Sequence, residues 1–137
     1  MYKNESQYIN SLRKADFDPT TLSATGYSME FNDTLDRYPD LIKVFFNNYE
    51  EFDKTSSIEN FMSLIWVSEN LDKVIDHLDI LKEMCEIDRL NIADAALCLL
   101  DHISCEDFDI DYSFIPDLNI KSQYLKDFSL VIYKHVK

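Results

Sequence analysis

The chain has 137 residues, a net charge of −13 at neutral pH and a single glycine, Gly26. One glycine is too few for a P-loop, a dinucleotide-binding fingerprint or a nucleophile elbow, each of which needs at least two. The acidity argues against binding to nucleic acids or anionic membranes, because phosphate groups attract lysine and arginine. The sequence contains no catalytic signature, so we expect a protein that is not an enzyme.

The length is typical of one domain, which we expect to span residues 1–137. Hydrophobic residues make up 46% of the chain and aromatic residues 13%, which supports a folded core and argues against disorder. The first ten residues are polar and lack the apolar region of a signal peptide. The three cysteines, Cys85, Cys98 and Cys105, form no Cys-x-x-Cys motif and are interpreted as reduced thiols. We therefore expect a cytoplasmic protein.

Helical periodicity runs through almost the whole chain. The first predicted helix covers Glu5–Lys14. The Asp18-Pro19 pair predicts the start of a second, short helix that ends at Gly26, with proline at its beginning and glycine at its end. Ser28 is predicted to cap a further segment that ends before Pro39, because proline disfavours helical geometry in the residue preceding it.

Four further signals predict helices in the middle of the chain. Apolar residues in Leu41–Phe52 recur at helical spacing and predict an amphipathic helix. The segment Ser56–Glu59 has the capping-box pattern and predicts the start of the next helix. Asn70 is predicted to cap a long helix with apolar residues in Leu71–Cys85. Asp88 is predicted to cap a helix that is apolar on most faces and therefore central.

The last third of the chain predicts a loop followed by a helix. Aromatic and acidic residues mix in Cys105–Asn119, which predicts the loop, and the apolar spacing from Ile120 onward predicts the helix. The residues in Phe128–Val136 also favour β-structure, so a small hairpin with Asp111–Ile115 is the alternative. Short connections favour antiparallel helix pairs. The predicted fold is all-α, either a HEAT-like α-solenoid or an irregular helical bundle, and the alternative is α+β with a C-terminal hairpin.

The negative charge is concentrated in one stretch of the chain. Residues 69–117 contain 14 acidic and three basic residues, a net charge of −11, whereas residues 118–137 carry +3. Six carboxylates in this stretch are spaced 3, 4, 3, 4 and 3 residues apart and would occupy about 100° of arc on an α-helix. We call them the acidic stripe: Glu69, Asp72, Asp76, Asp79, Glu83 and Glu86. Like charges at this spacing oppose the helix slightly, so the stripe is either a solvated face or a binding surface for a basic partner.

A second acidic segment, residues 105–112, is called the acidic loop. Its candidate contact residues are four carboxylates and one aromatic side chain: Glu106, Asp107, Asp109, Asp111 and Tyr112. Aromatic anchors surrounded by charge are typical of interface hot spots. The alternation has a period of two, however, so an equally good interpretation turns Phe108, Ile110 and Tyr112 into the core and the acids outward.

Two arrangements resemble metal sites only in part. The alternating aspartates between residues 107 and 111 resemble the start of an EF-hand loop, but the glycine and the glutamate that such a loop requires are absent. Cys98, His102 and Cys105 would share one helix face, but their spacing matches no common zinc motif. We therefore expect no metal and no cofactor.

A small, acidic, helical chain without catalytic motifs resembles the immunity proteins of bacterial polymorphic and contact-dependent growth inhibition toxin systems. The acidic stripe and the acidic loop carry the resemblance. It implies a protein that binds and neutralises a basic toxin domain, very often a nuclease, by placing carboxylates where the toxin binds phosphates. The expected partner is a basic protein, with no nucleic acid and no membrane, and a homodimer is left open. The alternatives are a phage-encoded inhibitor that mimics nucleic acid, a small helical scaffold or regulatory subunit, and an enzyme with an unrecognised carboxylate pair.

Overall fold

The structure is a computed structural model and describes residues 31–51 and 55–136, except residues 34, 37 and 38. These residues form helices and loops and include no β-strand. The all-α prediction is confirmed, and the alternative hairpin between residues 111–115 and the C-terminal segment is not formed. The helices predicted for residues 5–14 and 18–26, and the predicted cap at residue 28, lie outside the described residues.

The described α-helices are named in chain order. They are α1 (Leu41–Asn48), α2 (Thr55–Val67), α3 (Leu78–Glu86), α4 (Leu90–Ser104) and α5 (Gln123–Val136). Short 3₁₀ helices cover Tyr49–Glu51, Leu71–His77 and Ile115–Asp117, and residues 31–33 and 35–36 are also helical. The chain divides into two compact units, Met1–His77 and Leu78–Lys137, which we call the N-terminal and C-terminal units.

The core of the N-terminal unit is aromatic. Phe45 on α1 stacks on Phe61 of α2 with ring centroids 4.1 Å apart, and Phe31 meets Phe61 edge to face at 5.4 Å. All three rings are buried. Helix α1 begins where the apolar spacing predicts it and continues as a 3₁₀ turn beyond Asn48. Helix α2 begins at Thr55, so Ser56 lies inside the helix and not at the predicted cap position.

The prediction of one long helix after Asn70 is wrong. A 3₁₀ helix occupies Leu71–His77, and α3 begins only at Leu78. The buried Asn70 side chain does not cap a helix: its Nδ2 donates to Oδ1 of Asn32 at 2.9 Å, and its Oδ1 accepts from Nζ of Lys73 at 2.6 Å. The backbone N–H of Lys73 bonds to the carbonyl of Asn70 at 3.0 Å, which is the tighter 3₁₀ spacing. The asparagine amide is therefore used for a long-range contact within this unit.

Helix α4 is the centre of the C-terminal unit, as its apolar character predicts, since both α3 and α5 pack against it. Its buried residues cover most of its circumference: Ile92, Ala93, Ala96, Leu97, Leu99, Leu100 and Ile103. The connection from α3 covers residues 87–89, and a connection this short joins antiparallel neighbours. The cap position is Arg89 and not the predicted Asp88, and no side chain caps the helix there.

Helix α5 holds the chain that precedes it. Its buried residues are Leu125, Ser129 and Ile132. From the same helix, Nζ of Lys126 donates to the carbonyl oxygens of Pro116 at 2.8 Å and Leu118 at 2.7 Å. This lysine therefore fixes the end of the loop that follows α4. In the part of the chain that is described, no helix has the length and apolar character needed to cross a membrane.

Candidate interaction surface

The acidic stripe is divided between the two units. Glu69, Asp72 and Asp76 belong to the N-terminal unit, and the other three carboxylates lie on α3. The arc of about 100° assumed one α-helix, and this assumption is wrong for the first three residues. Glu69 lies in a turn with φ of 63°, and Asp72 and Asp76 lie on a 3₁₀ helix. Four residues advance about 120° along a 3₁₀ helix, compared with about 40° along an α-helix, so these two side chains point in different directions.

On α3, the predicted arrangement is retained. Asp79, Glu83 and Glu86 fall within about 60° of arc on this α-helix. Asp79 and Glu83 are exposed. Glu86 is half-buried, and its Oε2 accepts a hydrogen bond of 2.8 Å from the backbone N–H of Asn119. Glu86 therefore holds the loop after α4 against the end of α3, in addition to carrying charge.

In the acidic loop, exposed acidic side chains alternate with partly buried apolar and aromatic ones. All four of its carboxylates are exposed, whereas Phe108, Ile110 and Tyr112 are partly buried. The segment contains no helix and no strand, and the backbone N–H of Ile110 bonds to the carbonyl of Phe108 at 3.1 Å. Burial raises the pKa of Tyr112, and the nearby Cys105 adds to this rise. The Tyr112 hydroxyl is buried and has no hydrogen-bond partner among the described residues, so this side chain faces the protein.

The chain that follows the acidic loop lies against α3. Nζ of Lys82 lies 4.2 Å from the centroid of the Phe114 ring, a cation–π geometry. Asp111 accepts a hydrogen bond of 3.0 Å from the backbone N–H of Ser113. This hydrogen bond and, to a smaller extent, the charge of Lys82 lower the pKa of the Asp111 carboxyl. The end of the acidic loop therefore runs beside α3 within the C-terminal unit.

The sequence did not point to three residues that hold this part of the unit together: Lys82, Phe114 and Asn119. Lys82 and Phe114 are 32 positions apart, and no periodicity links them. We call the carboxylates of α3 and of residues 106–111, which belong to the same unit, the acidic surface.

Two thiols of the C-terminal unit, Cys85 and Cys98, are not activated for nucleophilic chemistry. Burial raises the pKa of Cys85 to about 12, and the neighbouring charge of Glu86 contributes to the rise. Burial and the adjacent Asp94 raise the pKa of the Cys98 thiol as well. A reactive cysteine needs the opposite shift, toward the thiolate. In the described residues, no group of three or more His, Cys, Asp or Glu side chains is placed to hold a metal ion.

The geometry defines an all-α protein that presents an exposed acidic surface on its C-terminal unit. Comparisons of the chain with protein-family models, with curated proteins and with solved structures give no match.

Proposed function

We propose that this chain is a non-enzymatic, cytoplasmic binding protein that neutralises a basic protein partner. In its most specific form, it is an immunity protein that occludes the active site of a toxin nuclease. The observation that supports this proposal is the acidic surface itself. Carboxylates of α3 and of the acidic loop lie exposed in one unit, with little cationic charge beside them.

Four of the seven carboxylates of this surface have no described polar partner. No described hydrogen bond or ion pair engages the carboxylates of Glu83, Glu106, Asp107 or Asp109. Lys82 is the nearby cation, and it lies over the Phe114 ring and 3.9 Å from Asp79. An exposed pair at that distance contributes little to stability. The surface therefore keeps its negative potential for a partner of opposite charge.

A nuclease binds the phosphates of its substrate with basic side chains, and exposed carboxylates compete for the same groups. Negative potential over a surface also accelerates the encounter with a basic protein and orients it. The expected mechanism is occlusion: the acidic surface covers the phosphate-binding groove, and nucleic acid is excluded. Glu69, Asp72 and Asp76 of the N-terminal unit stay predicted partner contacts of that unit.

The test starts with affinity capture from the native host, followed by binding and nuclease assays with the captured basic protein. The double variant Asp79→Lys/Glu83→Lys reverses two exposed charges on α3. Its matched control, Asp33→Lys/Asp36→Lys, reverses two exposed charges in the N-terminal unit and changes the net charge equally. We expect the first variant to lose partner affinity and inhibition about thirtyfold, and the control to change both by less than about threefold.

Two outcomes contradict the proposal. One is capture that recovers no basic protein at stoichiometric amounts. The other is equal behaviour of the two double variants, because equal loss would show that net charge alone acts and not the surface on α3. A partner that binds but retains its full activity would support the scaffold alternative instead.

A further inference from the structure

Helix α5 has an exposed face that differs from the rest of the C-terminal unit. Three large apolar side chains of this helix are open to solvent: Tyr124 is 79% exposed, Val131 54% and Leu130 40%. The opposite face is packed into the unit by Leu125, Ser129 and Ile132. Large apolar side chains that gather on one exposed face mark a candidate interaction site.

The charged residues on this face have a self-complementary order. Asp127, Leu130, Val131 and Lys134 fall within about 100° of arc on the helix. Asp127 precedes the Leu130–Val131 pair by as many positions as Lys134 follows it. A two-fold axis that is perpendicular to the helix and passes between Leu130 and Val131 relates this face to an antiparallel copy of itself. Asp127 of one helix then lies opposite Lys134 of the other, and Leu130 lies opposite Val131.

We propose that this face binds the same face of a second copy of the chain, with the two α5 helices antiparallel across a two-fold axis between Leu130 and Val131. Leu130 of each copy then packs on Val131 of the other, and Asp127 of each copy lies beside Lys134 of the other. Such an interface is isologous and closes at two copies.

The charge distribution favours a second copy at this position. Residues 118–137 carry +3, and the remaining 117 residues carry −16. Two copies repel each other over most of their surface and meet with the least repulsion at this segment. A basic partner would be repelled by the same segment, and an acidic partner would leave Asp127 facing like charge. The acid and the base on α5 are therefore complementary to a second copy of the same helix.

The expected dimer is weak. The helix has 14 residues and is about 21 Å long, so a contact between two such helices buries less than the roughly 1,600 Å² of a standard interface. The association is therefore expected to depend on concentration. None of the residues involved belongs to the acidic surface, so failure of this inference leaves the proposed function unaffected, and the converse also holds.

The first experiment is sedimentation velocity of the full chain from micromolar to near-millimolar concentration. We expect the average mass to rise from one chain toward two. Val131→Asp should weaken the association at least about tenfold, because it places a charge in the apolar centre of the contact. Leu90→Asp is the matched control: Leu90 is exposed at the start of α4, and its replacement should leave the association unchanged. Circular dichroism checks that both variants are folded.

A charge-swap series tests the geometry of the contact. Asp127→Lys or Lys134→Asp alone places like charges together twice in each dimer and should weaken self-association. The double variant Asp127→Lys/Lys134→Asp should restore it, and an equimolar mixture of the two single variants should form heterodimers. A monomer at every concentration overturns the inference. So does a dimer that tolerates Val131→Asp, or a charge-swap series without rescue, because each shows that another surface is used.

Discussion

The acidic surface and the exposed face of α5 belong to the same unit but differ in how their charge is arranged. The acidic surface consists of carboxylates, and one lysine, Lys82, lies on the same helix as three of them. On α5, an acid and a base flank exposed apolar side chains. A surface of one sign repels its own copies and attracts an opposite charge, whereas a surface with both signs can match itself. Under the two proposals above, one small unit has two kinds of partner.

The two surfaces share one support, helix α4, which packs against α3 on one side and α5 on the other. Leu100 of α4 is buried in this core. We expect Leu100→Ala to lower the free energy of unfolding by about 2–5 kcal/mol, through lost apolar burial and the cavity that remains. Urea denaturation followed by circular dichroism measures this loss. The exposed Leu90 is the control, since Leu90→Ala should cost less than about 1 kcal/mol.

If Leu100→Ala abolished partner binding but left the α5 contact intact at the same temperature, the two surfaces would not share α4 as their support. Both surfaces should instead be lost together when α4 unfolds, because α4 is the α-helix that both α3 and α5 pack against within this unit.

Salt should separate the two surfaces. Raising the ionic strength from 0.1 to 1 M shortens the Debye length from about 10 to about 3 Å. The association rate of a basic partner with the acidic surface should fall about tenfold or more over this range. Self-association through α5 should hold or strengthen, since the repulsion between two acidic chains is screened as well. Stopped-flow binding and sedimentation at both salt concentrations measure these two effects. If the association rate of the partner and the self-association both fell, the two surfaces would not differ in how they depend on charge.

The helices were predictable because their signal is local. The helix predicted from the apolar spacing in Leu41–Phe52 begins at Leu41 but gives way to a 3₁₀ turn after Asn48, and the apolar spacing after Asp88 matches the helix Leu90–Ser104. The caps were less predictable, because a capping side chain can bond elsewhere. Asn70 illustrates this: its amide reaches Asn32, 38 positions earlier, and the helix expected after it becomes a 3₁₀ segment.

The exposed carboxylates of the acidic surface were predictable from the sequence, but the contacts that hold its segments in place were not. Exposure of the carboxylates follows from the cost of burying charge. The chain after the acidic loop is held to α3 by Lys82 meeting Phe114 and by Glu86 meeting Asn119, contacts between residues far apart in the chain. Periodicity carries no information on any of these contacts.

The contact between Lys82 and Phe114 can be tested directly. Lys82→Met removes the ammonium group and keeps a side chain of similar length, so it should lower stability by about 0.5–1 kcal/mol. It should also raise the pKa of Asp111 by removing one of the charges that lowers it. Lys121→Met is the control, because Lys121 is an exposed lysine in the same unit. Chemical denaturation and a carboxylate titration by NMR measure the two effects, and identical results for both variants would show that Lys82 does not hold the loop.

The smallest effect concerns the protonation of Asp111. The hydrogen bond from Ser113 lowers the pKa of this carboxyl in the folded state. Its stabilising contribution is therefore complete above the pKa that it has in the unfolded chain, and it is lost as the pH falls through the lower pKa of the folded state. Asp111→Asn keeps an oxygen that accepts from Ser113 but cannot titrate, so it should flatten the acid limb of stability against pH slightly. Urea midpoints measured from neutral to acid pH test this, with Asp117→Asn as the control for loss of an exposed carboxylate. An equal change in both variants would show that the Ser113 hydrogen bond does not favour the charged form of Asp111.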